Sequence, residues 1–79
     1  MVLDIERLRA WILTECRNEF GRDLANDPIA IQRINEAVEK AAREGRPGYE
    51  IKLPFLFVDH RGPRNFARKL GPELFPNRH

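Results

Sequence analysis

The chain reads as an α+β domain, two amphipathic helices followed by an antiparallel β-hairpin. Three observations predict this. Apolar residues recur at helical spacing in two early segments; each of those segments opens on an aspartate and closes on a glycine; and a later run alternates apolar and polar residues up to a Gly-Pro turn. With 79 residues, the chain is expected to be one small domain, able to bury only about 60% of the surface it exposes when unfolded.

The first helix is expected over 4–20. Ile5, Leu8, Trp11, Ile12 and Cys16 share one face and Phe20 closes the stripe. Asp4 suits the N-cap, and Gly21 suits the left-handed residue that ends a helix. A short linker, 22–26, leads to the clearest start signal in the chain, Asp27-Pro28. There Asp27 caps and Pro28 occupies the first helical position, where no N–H is needed. Ala30, Ile31, Ile34, Ala37, Val38 and Ala41 line one side of this second helix, and Ala37 and Ala41 are small enough to let another backbone approach. Gly45 should end it, and Pro47-Gly48 prevents its resumption.

A strand is expected over 49–58. Ile51, Leu53, Phe55 and Phe57 fall on one face, and Glu50, Lys52, Pro54, Leu56 and Val58 on the other. Pro54 has no ladder donor, which argues for an edge or a bulge. The stretch 59–63 is a turn, with Gly62 free to take positive φ, and 64–70 returns as the second strand. The tail from Gly71 carries Pro72 and Pro76 and is expected to be irregular, tacked down by Leu74 and Phe75.

Composition narrows the function classes. Cys16 is the only cysteine, so there is no disulfide framework, and a lone thiol fits a reducing compartment. No signal-peptide pattern opens the sequence and no apolar run approaches a membrane span, so a soluble cytoplasmic protein is expected. Residues 1–40 carry net charge −2 and residues 41–79 net +4. The basic half raises nucleic-acid binding as a reading, but the charges are mixed and do not favour it. Catalytic sets do not assemble either. Cys16 sits on an apolar helix face, Asp59-His60 in a Gly-Pro turn, and His60 and His79 are too far apart for a zinc pattern. Gly45-Arg46-Pro47-Gly48 lacks the strand and helix that flank a phosphate loop. No enzyme activity and no cofactor or metal are expected.

From Asp23 to Leu70 the order of residues is itself informative. It runs Asp23-Leu24, Asn26-Asp27-Pro28, Ala30 with Gln32-Arg33, Glu36-Ala37 with Glu39-Lys40-Ala41, Leu53-Pro54-Phe55, Asp59 and Gly62-Pro63. This resembles one lobe, called IIB, of the ATPase domain of DnaK-type heat-shock chaperones. The resemblance implies an actin-like ATPase subdomain of IIB type, with the helix-helix-hairpin order reached above from periodicity. It also implies a place beside adenosine, which the family clamps with a Glu, a Lys and a Ser. Glu39 falls on the Glu, but Ala42 and Arg46 replace the other two. Arg43 matches a basic position of some members. The glycine pair that precedes the first helix in the family is absent, and Gly71-Pro72-Glu73-Leu74-Phe75-Pro76 stands where the family begins a third helix.

The reading that follows is a non-catalytic protein-interaction module. In the family this lobe is gripped by GrpE-type nucleotide exchange factors, so a GrpE-type factor or a DnaK-type chaperone is the implied partner, with self-association as another outcome. The alternative is a fragment of an ATP-dependent chaperone whose nucleotide site is completed by other lobes. For the docking surface, Leu56 and Val58 are expected to face outward on a sheet that lacks a second covering layer. Arg64, Arg68 and Lys69 would rim them with positive charge and favour an acidic partner. Trp11 and the Phe55/Phe57 pair could form a binding groove, but core packing is the favoured reading for Phe55 and Phe57.

Overall fold

The computed structural model describes residues 3–76. Helix α1 spans Ile5–Phe20 and α2 spans Pro28–Glu44; strands β1 (Glu50–Asp59) and β2 (Gly62–Lys69) form one antiparallel hairpin, and a single 3-10 turn covers Pro72–Leu74. This is the expected α+β order.

The caps form where the sequence places them. The Asp4 carboxylate accepts from the Arg7 N–H, and Asp27 accepts from the N–H groups of Ile29 and Ala30. Gly21 ends α1 in the left-handed region, at φ 65°. Gly45 ends α2 differently. Its backbone is extended, with φ −69°, and a Cβ there would collide with the Ala41 carbonyl and press on Leu70. Glycine serves close approach at this position, not a left-handed turn.

The helices cover one face of the hairpin. Leu8, Ile12 and Cys16 of α1 meet Ala30, Ile34, Val38 and Ala41 of α2. Ile51, Leu53, Phe57 and Phe66 close the layer from the sheet. Leu24, in the linker, is also fully buried and anchors the crossing between helices. In the tail, Leu74 and Phe75 pack into the same core, and the Asp4 N–H bonds the Leu74 carbonyl at 3.3 Å. Pro76 follows directly, so the segment after β2 stops at one 3-10 turn. No polar side chain is buried among the described residues.

The hairpin pairs regularly from Glu50 opposite Lys69 to Leu53 opposite Phe66, then again from Phe57 opposite Arg64 to Asp59 opposite Gly62. Between these stretches Pro54, Phe55 and Leu56 all stand against Asn65. The bulge has three visible causes. Pro54 cannot donate to a ladder, its carbonyl accepts from Arg33 Nη1 at 2.9 Å, and the Phe55 N–H is taken by Asn65 Oδ1 at 2.9 Å. Phe55 adopts φ 54°, the left-handed region that a bulky residue rarely occupies. That one dihedral reverses the two side chains around it. Leu56 turns into the core, 1% exposed, while Phe55 turns out, 56% exposed. The extra residues restore the alternation at Phe57, which is buried, and Val58, which is exposed. The expectation for Phe55 and Leu56 is therefore corrected: they exchange faces.

Candidate functional site

The surface that stands out is apolar and built around the bulge. Among the described residues, Ile29 in the first turn of α2, Phe55 and Val58 are the large hydrophobic residues left exposed. Pro28 at the helix start and the Asp27 cap fix Ile29 beside the bulge, and the left-handed Phe55 presents its ring next to it. Together with Arg22, Asp27, Arg33, Leu56 and Phe57 they line a groove of about 360 Å³. The walls are rigid for identifiable reasons. Phe57 stacks edge-on against Phe20, with ring centroids 5.0 Å apart, and the Arg22 guanidinium lies 4.7 Å over the Phe57 ring. Arg22 also stands 4.0 Å from the Asp27 carboxylate, and Arg33 is held by the Pro54 carbonyl. The groove thus offers an apolar floor with a guanidinium on each side. It suits an apolar side chain whose neighbours carry negative charge.

The residues expected to form the docking surface are redistributed. Val58 is in place, but Leu56 is turned into the core, and only the floor of the groove reaches it. The basic rim also divides. Arg64 and Arg68 pair with Phe57 and Ile51 across the strands and so lie on the helix side. Arg64 holds Asp59 at 3.1 Å and covers the Phe20 ring. Arg68 reaches over Phe66 to Glu15, at 3.2 Å, and to Glu19 of α1. Arg68 on this face is thereby paired and half-exposed, with its guanidinium over the Phe66 ring. Lys69 alone of the three stands exposed on the outer face. Ile29, Arg22 and Arg33 were not anticipated as surface residues. One available signal was the unequal strand lengths around Pro54, which require extra residues to be accommodated on one strand.

Glu39 and Arg43 are both exposed on α2, one turn apart. They stand apart from the grooves along β1, whose helix wall is made by Arg33, Glu36, Ala37 and Lys40. Among the described residues there is no cluster of His, Cys, Asp and Glu able to hold a metal. His79 lies outside the described residues. Burial pushes the Cys16 thiol up to about 11, with the nearby Arg68 only partly offsetting it, so this sulfur is a packed apolar group with little thiolate. The Asp59 carboxyl is held below its ordinary 3.8, first by the Arg61 N–H, with desolvation opposing this and the Arg64 charge adding to it. It is a structural turn residue: Asp59 Oδ1 accepts from Arg61 N–H at 2.8 Å.

Comparison with known proteins supplies the relationship. The chain is 46% identical over 67 residues to the chaperone protein DnaK of Akkermansia muciniphila. This chain carries a DnaK-related segment. The match covers 81% of the chain but only 10% of the relative, so the chain spans about a tenth of the length of that DnaK. No family model matches it. The DnaK-related sequence includes the elements that build the groove. No helix among the described residues is long and apolar enough to cross a membrane.

Proposed function

We propose that the chain is a non-catalytic interaction module of the chaperone lobe IIB type, and that it docks a nucleotide exchange factor of the GrpE type through the groove around Phe55. The observation that carries this reading is the exposed set Ile29, Phe55 and Val58, flanked by Arg22 and Arg33. Ile29 stands outward at the capped start of α2, Phe55 is turned outward by the left-handed backbone of the bulge, and Val58 follows by alternation, which leaves an apolar surface in solvent. Ala42 and Arg46 stand where the resembled family clamps adenosine, which supports a role without nucleotide.

Calorimetric titration with a GrpE-type factor tests the proposal. Saturable binding is expected, weakened by roughly tenfold or more in Phe55→Asp and in Val58→Asp, as for central apolar anchors. Both positions are solvent-exposed, so these variants should fold. Absence of binding by the folded wild-type chain overturns the reading. A second reading is favoured by the short coverage of the relative: a piece of an ATP-dependent chaperone that contributes to a nucleotide site formed with other lobes. Titration with ATP-Mg separates the two. The first reading expects no heat of binding, whereas saturable binding supports the second.

A further inference from the structure

We infer that β1 has a self-complementary free edge and that two copies of this chain pair through it, joining their hairpins into one four-stranded antiparallel sheet. The argument begins with the direction of the backbone groups. The Leu70 N–H bonds the Tyr49 carbonyl at 2.7 Å, and Tyr49 extends the register in which Glu50 faces Lys69. Hydrogen-bonded positions alternate along an antiparallel ladder, so Ile51 and Leu53 turn their N–H and C=O groups toward β2. Glu50 and Lys52 turn theirs away from β2. Among the described residues β1 pairs with no other strand.

That free edge is short and bounded on both sides. Beyond Lys52, Pro54 has no N–H and its carbonyl is already taken by Arg33. Before Glu50, the Gly48 N–H is spent on the Leu70 carbonyl at 2.6 Å. The unpaired groups are therefore those of Glu50 and Lys52 alone. A two-fold axis through Ile51 satisfies all of them together, because it places Glu50 of one copy directly opposite Lys52 of the other, and the reverse.

The side chains agree with this register. Glu50 and Lys52 are both on the exposed face, where they lie 3.3 Å apart within one copy. Across the axis each would meet its opposite charge in directly facing cross-strand positions. Shallow grooves of about 230 and 140 Å³ lie between this edge and α2, with the small Ala37 and the long Lys40 lining both. The outer edge of β2 offers no such match. Its outward positions are Ala67 and Lys69, and a second copy there would bring Lys69 no opposite charge. Glu50, Ile51 and Lys52 do not line the groove around Phe55, although Arg33 borders both surfaces.

Sedimentation equilibrium of the full chain over a concentration series tests this, together with hydrogen exchange of backbone amides. The expected result is a monomer–dimer equilibrium, with the Glu50 and Lys52 amides gaining protection as concentration rises while Ala67 and Lys69 do not. Lys52→Glu should weaken dimerisation by about tenfold or more, since both facing pairs become repulsive. The double variant Glu50→Lys with Lys52→Glu should restore it. Circular dichroism of the variants controls for folding, which exposed substitutions of this kind should leave intact. A monomer at every concentration, a dimer indifferent to Lys52→Glu, a double variant that fails to recover, or protection at Ala67 and Lys69 instead would each overturn the inference.

Discussion

The two parts of the hairpin obey different rules. From Glu50 to Leu53, facing Phe66 to Lys69, every second side chain enters the core and the outer face is polar. From Pro54 to Leu56, facing only Asn65, the alternation breaks, and an aromatic ring is left in solvent. The regular part is stabilised by what it buries. The bulge is stabilised by side-chain bonds to its backbone, from Arg33 and Asn65, and by Leu56 filling the core in place of Phe55. A sheet can therefore reset the direction of two side chains without losing the pairing on either side, provided the displaced backbone groups find partners.

Phe66→Ala, in the regular part, should give the largest effect. It removes a ring that is 2% exposed and should cost about 3–5 kcal/mol in urea denaturation. Phe55→Ala, in the bulge, should stay within about 0.5 kcal/mol while abolishing partner binding. An equal loss of stability in the two variants would contradict this difference between the regular part and the bulge. Next in size is the backbone at Phe55. Because φ is 54°, Phe55→Val should be destabilised by about 1–2 kcal/mol relative to Phe55→Gly, which adopts that region freely. Comparable midpoints would mean that the bulge relaxes.

Asn65→Ala should cost about 1 kcal/mol, by leaving the Phe55 N–H without its acceptor, and should broaden the amide resonances of 54–56 in preference to those of 50–53. The smallest effect is at the turn. A carboxyl whose folded value is depressed contributes stability above its unfolded value and loses it as pH falls through the folded one. Asp59 should therefore support the hairpin above about pH 4 and cease to do so below, as followed by melting temperature. Asp59→Asn should remove that portion of the acid dependence.

The helices were legible in the sequence because their signals are local. Asp4, Asp27 and Pro28 act within one turn of themselves, and the spacing of Leu8, Ile12 and Cys16 needs no knowledge of the partner. The same holds for Gly62 at the turn, where φ is 109°, and for Pro76, which limits the last turn. The order of elements and the DnaK-type resemblance follow from such features. The fate of Leu56, Phe55, Arg64 and Arg68 does not. Alternation assigns Leu56 to solvent, and only the long-range contacts of Arg33 with Pro54 and of Asn65 with Phe55 reverse it. Arg68 looks like a free cation until α1 brings Glu15 and Glu19 across to it. Periodicity and capping determine which segments become helix and strand, since both are set by neighbours along the chain. Which side chains remain for a partner is decided only when distant segments compete for the same backbone groups and charges.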